Sequence, residues 1–311
     1  MSQNIVEYLR EQAINGLFAT TGFSGNWNTW VNEVNLLTAN KSPRQILNLG
    51  DNLSSIFRST SSGSRSQSDV SGGGSSWEAL VCWYLNLCLI GRRTVVIKHS
   101  KKLIPTPISD AITVNYNNFT SNTESDLVAI TFPNRDEYNM DKSSININDA
   151  DGVQVPNMVK NKFNMNSILD ALAHRDFSDI EIHIIQCKTN WNDNAQIPML
   201  WDMIYSANAF RNNITVGKNG YSIHDAKGFS YSFVTVPTVD TSKIKATSTC
   251  VKRVYNLSGG NYWGLPSQSN VASSIKEMLG RNLNSGATSN HLTTLASEIP
   301  KLNTDYSYFK L

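Results

Sequence analysis

A chain of 311 residues, 40% of them hydrophobic, is long enough for a sizeable core, and it has no apolar run long enough to span a membrane. Its net charge of +2 neither demands nor excludes a nucleic-acid partner, because a DNA cleft needs local positive potential and not a basic whole. The four cysteines, Cys82, Cys88, Cys187 and Cys250, form no CxxC pair, which argues against zinc and against a disulfide scaffold and points to a reducing cytoplasm.

Residues 1–58 read as a mostly helical N-terminal region. Ile5, Leu9, Ala13 and Leu17 recur at helical spacing, without the basic start and apolar run of a signal peptide. Residues 21–26 read as a polar turn. Residues 59–76, STSSGSRSQSDVSGGGSS, read either as a flexible linker or as a loop that orders on DNA with Arg65 near phosphates. The glycine patterns of nucleotide-binding loops are absent.

A strongly apolar helix follows, with Ser75 or Ser76 as its cap and Gly91 as its end. Glu78 then falls in its first turn, where the helix dipole alone would favour a carboxylate. Residues 94–98 read as a strand, and another strand starts near Asp126. The polar insertion at 134–161 contains Asp149-Ala150-Asp151-Gly152. With Gly152 as the loop glycine, Ile147 and Met158 fall at the first and last ligand positions of an EF-hand, so the segment reads as a turn. A short helix is expected over 167–174.

Residues 180–188 form an alternating, β-branched strand. Ile180, Ile182 and Ile184 share a face with Gln186 and Lys188. His183 lies on the other face and reads as structural. The next helix starts at Pro198, with Met199, Leu200, Met203, Ile204 and Ala207 as its expected buried stripe. Asn190, Asn192, Asp193 and Asn194 line the loop between. A further strand is expected over 231–237 and a helix over 271–279.

Gln186-Cys187-Lys188, with Asp126 opening an earlier strand and Glu78 on a preceding helix, resembles the PD-(D/E)xK nuclease motif of type II restriction endonucleases, with Gln at the second acidic position. The likeness covers about 72–210. It implies an α/β fold with a central mixed β-sheet flanked by helices, like a restriction endonuclease. The core would span 77–240. Residues 241–311 would serve DNA recognition or dimerisation.

The resemblance also implies the chemistry. Glu78, Asp126, Gln186 and Lys188 are the candidate catalytic residues. Asp126, the amide oxygen of Gln186 and the backbone carbonyl of Cys187 are the candidate Mg2+ ligands. Lys188 would orient the attacking water or stabilise developing charge. The implied partners are double-stranded DNA and a second copy of the chain, since two sites related by a two-fold axis cut both strands of a palindrome. Arg65 and Asn192 near the site, and Lys252, Arg253, Asn261 and Tyr262 further on, are candidates for contacting DNA. A repair or junction-resolving nuclease of the same fold, and a DNA-binding protein without catalysis, are the alternatives.

Overall fold

The computed structural model describes residues 3–60, 67–98, 100, 102–121, 125–189, 196–207, 209–210, 213–236, 244–259 and 274–311. In chain order the helices and strands are α1 (Ile5–Phe18), α2 (Thr21–Leu37), α3 (Pro43–Arg58), α4 (Gln67–Cys88), β1 (Thr94–Lys98), α5 (Thr106–Ala111), β2 (Val114–Tyr116), β3 (Phe119–Ser121), β4 (Leu127–Thr131), β5 (Met158–Val159) and β6 (Lys162–Phe163). They continue with α6 (Met165–Arg175), β7 (Glu181–Lys188), α7 (Gln196–Ala207), β8 (Ala209–Phe210), β9 (Ile214–Val216), β10 (Gly228–Thr235), α8 (Thr249–Tyr255), α9 (Glu277–Arg281) and α10 (His291–Glu298). No helix among the described residues is long and apolar enough to cross a membrane.

The centre is a four-stranded mixed sheet in the order β1-β4-β7-β10. β4 runs antiparallel to β1 and to β7, and β10 runs parallel to β7. Helices cover both faces, so the fold is mixed α/β. One face, with Val96, Leu127, Ile185 and Cys187, packs on α4, and α2 and α3 pack in turn on α4 with aromatic side chains in the same core. The other, with Ile182, Ile184 and Phe233, packs on α5 and α6. Burial on both faces explains why these strands read as nearly continuous apolar runs.

β1 is an edge strand of this sheet, and side chains satisfy outward backbone groups of Thr94 and Val96. The Asn86 amide donates to the Val96 carbonyl (2.6 Å) and accepts from the Val96 N–H (3.0 Å), which imitates a neighbouring strand. Arg10 of α1 is fully buried and donates to the carbonyls of Thr94 (2.9 Å) and Arg92 (2.8 Å). The N-terminal helices are thereby tied to the sheet. The C-terminal end is tied to α4, where Trp83 Nε1 donates to the Phe309 carbonyl (3.1 Å).

Several sequence expectations need correction. Residues 21–26 lie inside α2, because Phe23, Trp27, Trp30 and Val34 form one buried stripe. α4 starts at Gln67, so part of the Ser/Gly-rich stretch is helical, and neither Ser75 nor Ser76 is its cap. Gly73, inside this helix, lies beside the Phe57 ring of α3. α4 ends at Cys88, before the expected Gly91, which is left-handed at φ +72° in the turn that follows. On α7 the buried residues are Pro198, Asp202 and Tyr205, while Leu200 and Met203 of the expected stripe are exposed. α9 begins at Glu277, later than the expected 271, and residues 271–273 lie outside the described residues. The Asp149 carboxylate accepts from the N–H groups of Asp151 and Val153 beside a left-handed Gly152, which is a turn as read.

Glu181 opens β7 at the sheet's other end. His183, 3.8 Å away, the Ser285 hydroxyl and Lys227 at 2.8 Å hold its carboxyl down at about 2, against burial. His183 Nε2 makes no hydrogen bond among the described residues, so Lys227 is the firmer partner. A depressed carboxyl contributes stability above its unfolded value of 4.5 and loses it as pH falls toward 2. Melting the protein beside Glu181→Gln across pH 7 to 2 should show an advantage that shrinks through that window.

Candidate active site

The antiparallel pairing of β4 with both neighbours brings its start beside their ends. Lys98 stands opposite Leu127, and Leu127 opposite Ile185. One residue before Leu127 is Asp126, and just beyond Ile185 are Gln186, Cys187 and Lys188. In the parallel pair, Thr235 stands opposite Lys188. Four strands thus deliver Lys98, Asp126, Lys188 and Thr235 to one end of the sheet.

Asp126 is fixed there by a specific bond. Its Oδ2 accepts from the backbone N–H of Cys187 at 2.7 Å. Backbone groups alternate sides along a strand, and the Lys188 carbonyl accepts from Val236 on the β10 side. Those of Cys187 therefore face the β4 side, where β4 has ended. The carboxylate takes the place of the missing strand carbonyl, in a charge-assisted bond. The Cys187 carbonyl points to the same side.

Cys187 itself faces α4. Burial pushes its thiol well above the usual range, and the nearby carboxylates of Asp126 and Glu78 push it further, against the pull of Lys188. Such a thiol is inert as a nucleophile. Its surroundings bring Asp126, Glu78 and Lys188 to one locality.

Glu78 is the twelfth of the 22 residues of α4, counting from Gln67, so the helix-dipole account of it falls. Its Oε2 lies 3.3 Å from Lys98 Nζ. Lys98 also donates to the Ser75 carbonyl (2.9 Å) and hydroxyl (2.5 Å). The sequence reading gave Lys98 no role. A lysine closing the apolar run Thr-Val-Val-Ile was the signal available for it.

Gln186 is fully buried, on the face of Ile182 and Ile184. Its amide oxygen accepts from the Tyr231 hydroxyl at 3.1 Å, which ties β7 to β10. Lys188 is half-buried and forms no salt bridge among the described residues.

The DNA-contact candidates are not gathered here. Lys252 is exposed and Arg253 half-buried on α8, which packs on α7. Arg65, Asn192, Asn261 and Tyr262 lie outside the described residues, as do Asn190, Asp193 and Asn194.

Among the described residues no three or more His, Cys, Asp or Glu side chains form a group able to hold a metal. That rules against a zinc-type ligand cage within them but not against magnesium, which is held by one or two carboxylates, with water and substrate phosphate completing its shell. Asp126 and the Cys187 carbonyl lie together on the β4 side of the β7 end, and both are oxygen donors.

No family model matches the chain, and no curated protein matches it.

Proposed function

We propose that this chain is a Mg2+-dependent endonuclease with a restriction-endonuclease-like fold, acting on specific sites in double-stranded DNA as a homodimer. The observation that carries the reading is the Asp126–Cys187 bond. It holds a carboxylate at the end of the strand that Lys188 closes, although 61 residues separate Asp126 from Cys187.

Phosphodiester hydrolysis needs an activated water and compensation of the charge that develops on the phosphoryl and leaving oxygens. Asp126 and the Cys187 carbonyl would hold the metal, with Glu78 as a second carboxylate. Bound magnesium supplies Lewis-acid charge and makes a ligated water more acidic. Lys188 has no competing salt bridge among the described residues, so its ammonium can meet the scissile phosphate and stabilise its developing charge. The Gln186 amide oxygen accepts from Tyr231, which positions the end of β7, and its second lone pair would complete the metal's oxygen ligands. A dimer would put two sites, related by a two-fold axis, on the two strands of a palindrome.

Plasmid DNA incubated with the protein, with and without Mg2+, separates the readings. Discrete fragments, formed only with Mg2+, are the expected outcome. Degradation without pattern favours a repair-type nuclease of the same fold. Binding without cleavage leaves a DNA-binding protein and removes the enzymatic reading.

A further inference from the structure

Two lysines close strands at the site, and they are engaged differently. Lys188 has no salt bridge among the described residues, whereas Lys98 holds Glu78. The Lys98 and Glu78 side chains are 26% and 21% exposed, so their pair lies within reach of an incoming anion. Pairs so placed are weak in water and easily exchanged. β4 separates β1 from β7, so the two strands lie about 10 Å apart. Lys98, two residues after Val96, projects to the α4 face, and Lys188, two residues after Gln186, to the opposite face, so the two ammoniums stand on either side of the sheet end that carries Asp126.

We propose that Lys98 is a positioning residue that couples substrate to metal. In the free protein it holds Glu78 in an ion pair. When a DNA phosphate takes the ammonium, the carboxylate is released to the magnesium site beside Asp126. This rests on the nuclease reading and deepens it. The electrostatics run in one direction. Without Lys98, Glu78 is a second carboxylate near Asp126, and two like charges in one locality favour a divalent cation between them. DNA binding and metal binding therefore reinforce each other, by the same factor in both directions.

The probe is Mn2+ affinity, measured with and without a short duplex at a temperature where cleavage is negligible. The wild-type protein should bind Mn2+ more tightly with duplex, by roughly 5-fold or more. Lys98→Met should already bind Mn2+ more tightly without DNA, and duplex should add little. Lys98→Arg keeps the pair and should behave as wild type. Glu78→Gln should lose the tightening by duplex, and Lys98→Met/Glu78→Gln should lose the gain of Lys98→Met. Thermal melts establish which variants fold, and the Lys98→Arg and Glu78→Gln results decide the matter if Lys98→Met does not. If the wild type tightens with duplex while Glu78→Gln tightens equally, or if folded Lys98→Met binds Mn2+ as wild type does, the pair is a structural tie and the coupling is overturned. If the wild type binds no Mn2+ with or without duplex, the nuclease reading itself falls.

Discussion

Lys188→Ala protein is expected to fold normally, bind duplex DNA and cut it about 10²–10³-fold more slowly than wild type, the usual loss when one group that stabilises transition-state charge is removed. The structural cost should be small. The side chain is half-buried at a strand end and has no salt bridge among the described residues, so the melting free energy should change by no more than about 0.5 kcal/mol. DNA affinity should fall only modestly, because one phosphate contact among several is lost. Single-turnover cleavage, a binding titration and a thermal melt on the same preparation separate these effects. A folded Lys188→Ala protein of full activity would remove the lysine from the mechanism.

Gln186→Glu is expected to destabilise the protein by about 3 kcal/mol at neutral pH, since it puts a charge at a fully buried position that holds a neutral amide. The Tyr231 hydroxyl can still donate to it, but a neutral hydrogen-bond donor does not replace the hydration of a charge. Burial raises the folded-state pKa of the new carboxyl above its unfolded value of about 4.3. The penalty is therefore small below that pH, where the group is neutral in both states, and grows as pH rises toward the folded value. Melts at pH 4 and pH 8 test this. Unchanged stability at pH 8 together with tighter Mg2+ binding would show that metal binding outweighs burial at this position.

These residues also show what the sequence makes legible. Strands β1 and β7 are readable because β-branched residues fill them and both sheet faces bury them. Asp126 is readable as a strand-opening acid, but its bond to Cys187 is not, because a register that brings them together is a property of pairing and not of either segment. Gln186 and Lys188 share a strand face in the sequence, yet one end of that face is sealed by Tyr231 and the other is half open. Alternation gives the face and not the depth.

α7 fails for a related reason. Its apolar residues outnumber the places available in the core. Ile197, Leu200 and Met203 stay exposed while Asp202 and Tyr205 are buried. Those two have partners elsewhere in the chain. Asp202 accepts from Ser258, and Tyr205 donates to the Ile112 carbonyl. A polar residue with a partner can win a buried site over an apolar one, and only tertiary contacts reveal the partner. The start of α4 is not legible because serine and glycine have weak helix propensity, so the Ser/Gly-rich stretch reads as a linker.

The most direct test of the account is plasmid cleavage in Mg2+ by Asp126→Asn beside the wild type. Asparagine keeps an oxygen to accept the Cys187 N–H, so the strand end should hold and the melting temperature should stay near that of the wild type. The charge is lost, and an NH2 donor takes the place of the second carboxylate oxygen. The account predicts that wild type cuts and that folded Asp126→Asn cuts at least about 100-fold more slowly, because the principal charged metal ligand is gone. Cleavage by Asp126→Asn at the wild-type rate would mean that Asp126 merely caps a strand, and would contradict the active site described.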